Sequence, residues 1–358
     1  MTTLPQLLKA MMENNASDMH LSAGCAPSFR VYGIISRAKM DSLTPVNTKE
    51  LCYSILTDSQ KSELEEKKQI DLSFGIRNLA RFRANIFYQR GSVSGAFRHI
   101  PFDVPKLDTL GLPPILKSLI KKPKGLILIT GSTGSGKTTT LAALIDAINT
   151  TERLHIITIE DPIEFIHAHQ KSLVNQREIG PDALTYADGV KAALREDPDI
   201  VLIGEMRDRE TIETALTLAE TGHLVFSTLH TNGAYQTITR IVQVFPAEYQ
   251  DQIRLQLSLV LEGVVSQALL KTRDQKRALA VELLLPNMSI KNLIRENKIF
   301  QIPSAMRVGQ DQSGMVTMNQ SLANLIGQRI ITLESAMEYS PDVEELARMV
   351  ILSERKSA

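Results

Sequence analysis

The stretch GLILITGSTGSGKTTTLAALI, Gly125 to Ile145, leaves a chain few options. It runs from an apolar strand through a glycine-rich turn into a helix. Leu141, Leu144, Ile145 and Ile148 recur along that helix at core-facing spacing. Gly131, Gly136, Lys137 and Thr138 satisfy G-x-x-x-x-G-K-[ST]. Glycines in such a turn let successive backbone N–H groups point inward at phosphate oxygens, and the helix N-terminus adds partial positive charge. Ser132, Thr133, Gly134, Ser135, Gly136, Lys137, Thr138 and Thr139 are therefore the candidate nucleotide cradle. Lys137 would reach the β and γ phosphates, and the Thr138 hydroxyl would ligate Mg²⁺. The sole Asn-Lys pair, in NKIF, lacks the aspartate of guanine-specific NKxD loops, so ATP is the expected nucleotide. Kinase, switch, transporter subunit and motor all remain open on this stretch.

Lys plus Arg and Asp plus Glu both total 40, which argues against a surface that grips nucleic acid as a whole. The basic run KSLIKKPKG reads as a solvated face before a strand. Cys25 and Cys52 form no CxxC pair and read as reduced packing residues. The N-terminus has no basic flank and no long apolar core, hence no signal peptide. No apolar run approaches the ~20 residues that span a bilayer, so a cytoplasmic protein is expected, with membrane association only through a partner.

Residues 1–100 read as a small α/β domain: a helix carrying Leu4, Leu7, Leu8 and Met11, then short strands at MHLSAG and SFRVYGII. One polar helix is expected through NTKELCYSILTDSQKSELEEKK, with Leu51, Ile55 and Leu64 facing inward, followed by paired strands at LARFRANIFYQRG and GAFRHI. Prolines at 101, 105, 113, 114 and 123 mark residues 101–123 as a linker. Residues 124–285 alternate strands (LILIT, HIITIE, DIVLIGE, HLVFSTLH) with helices, the pattern of a mostly parallel sheet covered on both faces. From PAEYQDQIRLQLSLVLEGVVSQALL onward the chain reads as chiefly helical, with one possible strand at ALAVELLL, and residues 286–358 form a helical C-terminal region.

Two carboxylate-bearing segments follow the cradle. Glu205 ends the apolar strand of DPDIVLIGEMRDRETIETAL, where it could polarise an attacking water or support the metal, which favours hydrolysis over transfer to a substrate. Glu160, Asp161 and Glu164 lie just past another strand and suit Mg²⁺ coordination or water positioning. His223 and His230 bracket a strand whose seven steps put them about 23 Å apart on opposite faces, so they share no metal. His230, at the far end, could sense the γ-phosphate. His167 and His169 have no further ligand nearby to complete a zinc site.

Taken together, GSTGSGKTTTLAALID, TIEDPIEF, LVNQREIG, ALREDPDIVLIGEMRDRETI, AETGHLVFSTLHT and NLIREN resemble the PilT family of type IV pilus retraction ATPases, within the type II/IV secretion ATPase superfamily. SDMHLSAGCAPSFRVYG and ARFRANIFYQR match as well, and the likeness weakens after about Asn297. The resemblance implies a PAS-like α/β N-terminal domain joined to a RecA-like P-loop ATPase domain, assembled as a homohexamer that binds ATP and Mg²⁺. It implies Glu205 as catalytic carboxylate, and Glu160 and Glu164 near metal and water. Thr138, Glu160 and Glu205 form the implied metal set, and His230 a γ-phosphate contact. Arg81 and Arg83, two apart on one strand face, and Arg98 on the next strand approach nucleotide as domains close in that family.

The implied function is a motor that powers pilus retraction in twitching motility, with DNA uptake as an open second use. Its implied partners are the inner-membrane platform of the pilus machine and a second retraction ATPase, with no direct nucleic-acid contact. Pilus-assembly and type II secretion ATPases typically carry an extra N-terminal domain and a four-cysteine zinc insertion, so two lone cysteines and a short N-terminal half point to the retraction branch. A PilU-like accessory ATPase stays open as an alternative, as does a scaffold that binds nucleotide without hydrolysing it. For SIKNLIREN, Ser289 to Asn297, core packing competes with a partner-docking surface.

Overall fold

The structure, a computed structural model, describes residues 2–31, 33–76, 79–100, 103–308 and 314–357. Contacts divide it into two compact units: Met1–Asp103 with Glu164–Ile166, and Val104–Ile163 with His167–Ala358.

The first unit is an antiparallel sheet of β1 (Asp18–Leu21), β2 (Ser28–Val31), β3 (Ile34–Arg37), β4 (Gln69–Ile76), β5 (Ala80–Gln89) and β6 (Ser92–Ile100), in the order β3-β2-β1-β6-β5-β4. Helices α1 (Leu4–Glu13), α2 (Pro45–Tyr53) and α3 (Asp58–Lys67) join its core. Along β5, Ala80, Phe82, Ala84 and Ile86 are buried while Arg81 and Arg83 alternate to the other face. The polar helix expected over residues 47–68 is two helices instead. Thr57 accepts the N–H of Gln60, a capping box that starts α3 afresh. β4 was not anticipated either. Its buried positions, Ile70 and Leu72, are too few beside QIDLSFGI's polar residues to announce a strand.

The second unit holds a seven-stranded sheet: β7 (Gly125–Thr130), β8 (His155–Glu160), β9 (Leu173–Glu178), β10 (Ile200–Ile203), β11 (Leu224–Leu229), β12 (Leu261–Lys271) and β13 (Arg277–Leu284). The order is β13-β12-β7-β11-β10-β8-β9, parallel except for β13 against β12. Its helices are α4 (Leu116–Leu119), α5 (Lys137–Thr151), α6 (Tyr186–Ala193), α7 (Arg209–Glu220), α8 (Ala234–Gln243), α9 (Gln250–Val260), α10 (Met288–Arg295), α11 (Ile302–Arg307), α12 (Met318–Gly327), α13 (Leu333–Met337) and α14 (Val343–Ser357).

β7, β10 and β11 are buried at every position, because helices cover both faces of the sheet. Ile127 and Ile129 pack with Leu141, Leu144, Ile145 and Ile148 of α5 on one face. Leu126 and Leu128 join residues of α6 to α11 on the other. Each such buried aliphatic side chain contributes about 1.5–3 kcal/mol of transfer free energy.

Three sequence expectations change here. The chiefly helical reading from residue 246 onward misses β12, which pairs with β7 and is buried on both faces. A continuously apolar strand carries no period of two, so its LEGVVSQALL run is indistinguishable from helix by pattern. β9 was likewise unread. Of the segment read as linker, Pro101 and Phe102 lie outside the described residues. From Val104 on, the segment belongs to the second unit, with Leu107, Leu116 and Leu119 buried against Ile127 and Leu144. In the SIKNLIREN stretch, Ile290 and Ile294 are fully buried, so core packing accounts for its apolar spacing.

Candidate active site

β7 delivers the glycine loop to the carboxyl edge of the sheet, where open α/β sheets take their ligands. Lys137 opens α5 directly after Gly136. Its Nζ donates to the main-chain oxygens of Gly131 at 2.9 Å and Ser132 at 3.0 Å, so the ammonium lies within the curve of the loop. Burial pulls the Lys137 pKa below the ordinary lysine value, and the negative charge of Glu205 opposes that shift. Ser135 Oγ is buried without a hydrogen-bond partner. Ser132, Thr133 and Gly134 are exposed, while Thr138 and Thr139 are half-buried at the start of α5. A Cβ on Gly131 would collide with the main-chain oxygen of Gln267, so only glycine permits this approach. A poised ammonium, an unpartnered hydroxyl and a helix N-terminus fit a triphosphate.

Three neighbouring strands bring acid and base groups to the same edge. Glu160 ends β8, Glu205 follows β10, and His230 follows β11. β11 fixes the turn that carries Glu205: Ser227 Oγ donates to Ile203 O at 2.8 Å, Thr228 Oγ1 to Gly204 O at 2.6 Å, and Met206 N to Thr228 O at 3.1 Å. The carboxylate meets Arg207 Nη2 at 2.7 Å and His230 Nε2 at 3.4 Å. Burial alone would raise the Glu205 pKa, but the Arg207 hydrogen bond and the charge of His230 outweigh it and hold the group below the usual carboxylate range. Tyr186, at the start of α6, lies close by. Its hydroxyl is 2.8 Å from where a Cβ on Gly204 would stand, and burial plus the charges of Asp161, Glu205 and Glu160 raise its pKa.

The remaining sequence candidates divide between the units. Glu160 accepts from Thr158 Oγ1 at 2.6 Å and Gln176 Nε2 at 3.2 Å, which ties it to the sheet edge. Asp161 and Glu164 are exposed in the loop beyond β8, and Glu164 groups with the first unit. His223 precedes β11 and packs its ring against Leu218 O at 3.0 Å, at the opposite strand end from His230. Arg81, Arg83 and Arg98 sit on the first unit's sheet, with Arg83 directly opposite Arg98 across β5 and β6. Arg98 pairs with Asp18 at 2.8 Å and Arg83 with Asp71 at 3.9 Å. Sequence reasoning missed Gln267, because β12 was read as helix. It also missed Arg207, whose spacing of two from Glu205 was a signal within the quoted segment, and Tyr186, for which no pattern spoke.

The family model for Type II/IV secretion system protein matches residues 2–340. The chain belongs to this family. It is 46% identical over 335 residues to the type IV pilus retraction ATPase PilT of Pseudomonas aeruginosa, covering 94% of the chain and 97% of that relative. It is 47% identical over 326 residues to a twitching motility protein of Neisseria gonorrhoeae, covering 91% and 87%. The crystal structure of a pilus retraction motor PilT with bound ADP superposes with a TM-score of 0.92 at 53% identity, covering 97% of this chain and all of that one. This type II/IV secretion system protein is thus a nucleotide-binding P-loop ATPase: a RecA-like unit, preceded by a small α/β unit and followed by helices.

Proposed function

We propose that this ATPase is the motor that retracts type IV pili, working as a homohexamer on the inner-membrane platform of the pilus machine. The observation that carries the reading is the placement of Lys137 and Glu205 at the carboxyl edge of one sheet, the lysine opening α5 inside the glycine loop and the glutamate following β10. The retraction and twitching relatives support the mechanical output. Among the described residues no helix is long and apolar enough to cross a membrane, in keeping with attachment through protein partners. A second retraction ATPase would share that platform, and twitching motility would follow from retraction.

In this reading the loop amides, Lys137 and Ser135 hold the β and γ phosphates. Among the described residues no group of three or more His, Cys, Asp or Glu is gathered to hold a metal alone. Thr138, Glu160 and Glu205 are the residues that would hold Mg²⁺, alongside phosphate oxygens. The metal would supply charge neutralisation at those oxygens. Glu205, kept ionised by Arg207 and His230, orients the attacking water and accepts its proton. His230 reports whether the γ-phosphate is present, and Glu164 helps to position water near the metal. Arg81, Arg83 and Arg98, supplied by a neighbouring copy, neutralise charge developing in the transition state, an effect worth about 10³–10⁵ in turnover for arginines so placed.

Replacing the chromosomal gene with the Glu205→Gln form and imaging the cells tests the retraction reading. Excess pili without movement are expected. Bald cells would assign the chain to assembly instead.

A further inference from the structure

We infer that Gln267 is a positioning residue for nucleotide binding, clamping the phosphate loop and the first turn of α5 together. The inference rests on the loop being the ATP site. β12 lies beside β7, on the side away from β11. Ser266 pairs with Thr130, so Gln267 stands level with Gly131, the first residue of the loop. Its side chain is 3% exposed, and its Nε2 donates to Thr140 Oγ1 at 2.8 Å. Thr140 in turn closes the first turn of α5, its N–H donating to Gly136 O at 3.0 Å.

One residue therefore touches both ends of the loop. The main-chain oxygen leaves no room for a side chain on Gly131, and the amide holds the turn that carries Lys137 and Thr138. Oε1 of Gln267 remains buried without a partner, as does the nearby Ser135 Oγ. Burying an unsatisfied amide oxygen is costly, and an aliphatic side chain at this position would avoid that cost. A glutamine here is explained by what its N–H holds. Without that bond, α5 and Gly131 lose their common anchor, and the loop amides and Lys137 are no longer set at the spacing a diphosphate needs.

The test is ADP titration and steady-state ATPase kinetics on Gln267→Met, Thr140→Val and the double variant. Each single change should raise the ADP dissociation constant about five- to tenfold, the size of one buried neutral hydrogen bond. KM for ATP should rise in parallel and kcat stay within about twofold. The double variant should bind no worse than the weaker single one, because both changes remove the same bond. Wild-type ADP affinity in the single variants, or losses that add, would overturn the inference. Should Gln267→Met fail to fold, Thr140→Val decides alone. Lys137→Ala separates the two levels: if it binds ADP like the wild type, the loop itself has been misread. If it does not, normal binding by the Gln267 and Thr140 variants sinks only the clamp.

Discussion

Glu205 shows how a half-buried carboxylate can stay charged. With its side chain 17% exposed, it would be expected to hold its proton more tightly than a free glutamate, yet Arg207 and His230 reverse the shift. A folded-state pKa below the unfolded value means that its contribution to stability is present above the ordinary carboxylate range. That contribution is lost as pH falls through the folded value. The same direction keeps Glu205 competent as a base throughout the neutral range. Arg207→Ala should therefore move the acid limb of the kcat–pH profile to higher pH, while leaving the fold intact because the arginine is 74% exposed and such pairs add little stability. An acid limb that stays in place would assign it to another group.

At the scale of elements, strands with a clear signal were read and those without one were not. β7, β8, β10 and β11 were legible because their β-branched runs end at Gly, Asp or His and alternate with helical stretches. β12 was not, since Leu261 to Leu270 are almost all buried and show neither the strand period nor the helix period. That single omission hid Gln267, so the loop's chemistry was legible and its brace was not. Lys137, Glu205 and His230 could be nominated from sequence because each follows directly on a readable strand or turn. Tyr186 could not, because its place beside Gly204 depends on how α6 packs. The break between α2 and α3 was carried by one threonine. Thr57→Ala should cost about 1 kcal/mol, read as a lower urea midpoint for the first unit, with no change in ADP binding by the second. An unchanged midpoint would mean that the break is set by packing of Leu56 and Leu64 rather than by the cap.

The whole molecule has two compact units, and the groups proposed for hydrolysis are divided between them. Lys137, Thr138, Glu160, Glu205 and His230 share the edge of one sheet, whereas Arg81, Arg83 and Arg98 share a face of the other. The proposed function requires that the lysine and the glutamate act on one triphosphate. The most direct test compares ATP binding with single-turnover hydrolysis in purified Glu205→Gln. Binding within about twofold of wild type is expected, with hydrolysis slower by at least about 10²-fold, the order of effect of removing a positioned general base. Hydrolysis at the wild-type rate, or a loss of binding as large as the loss of hydrolysis, would contradict the account.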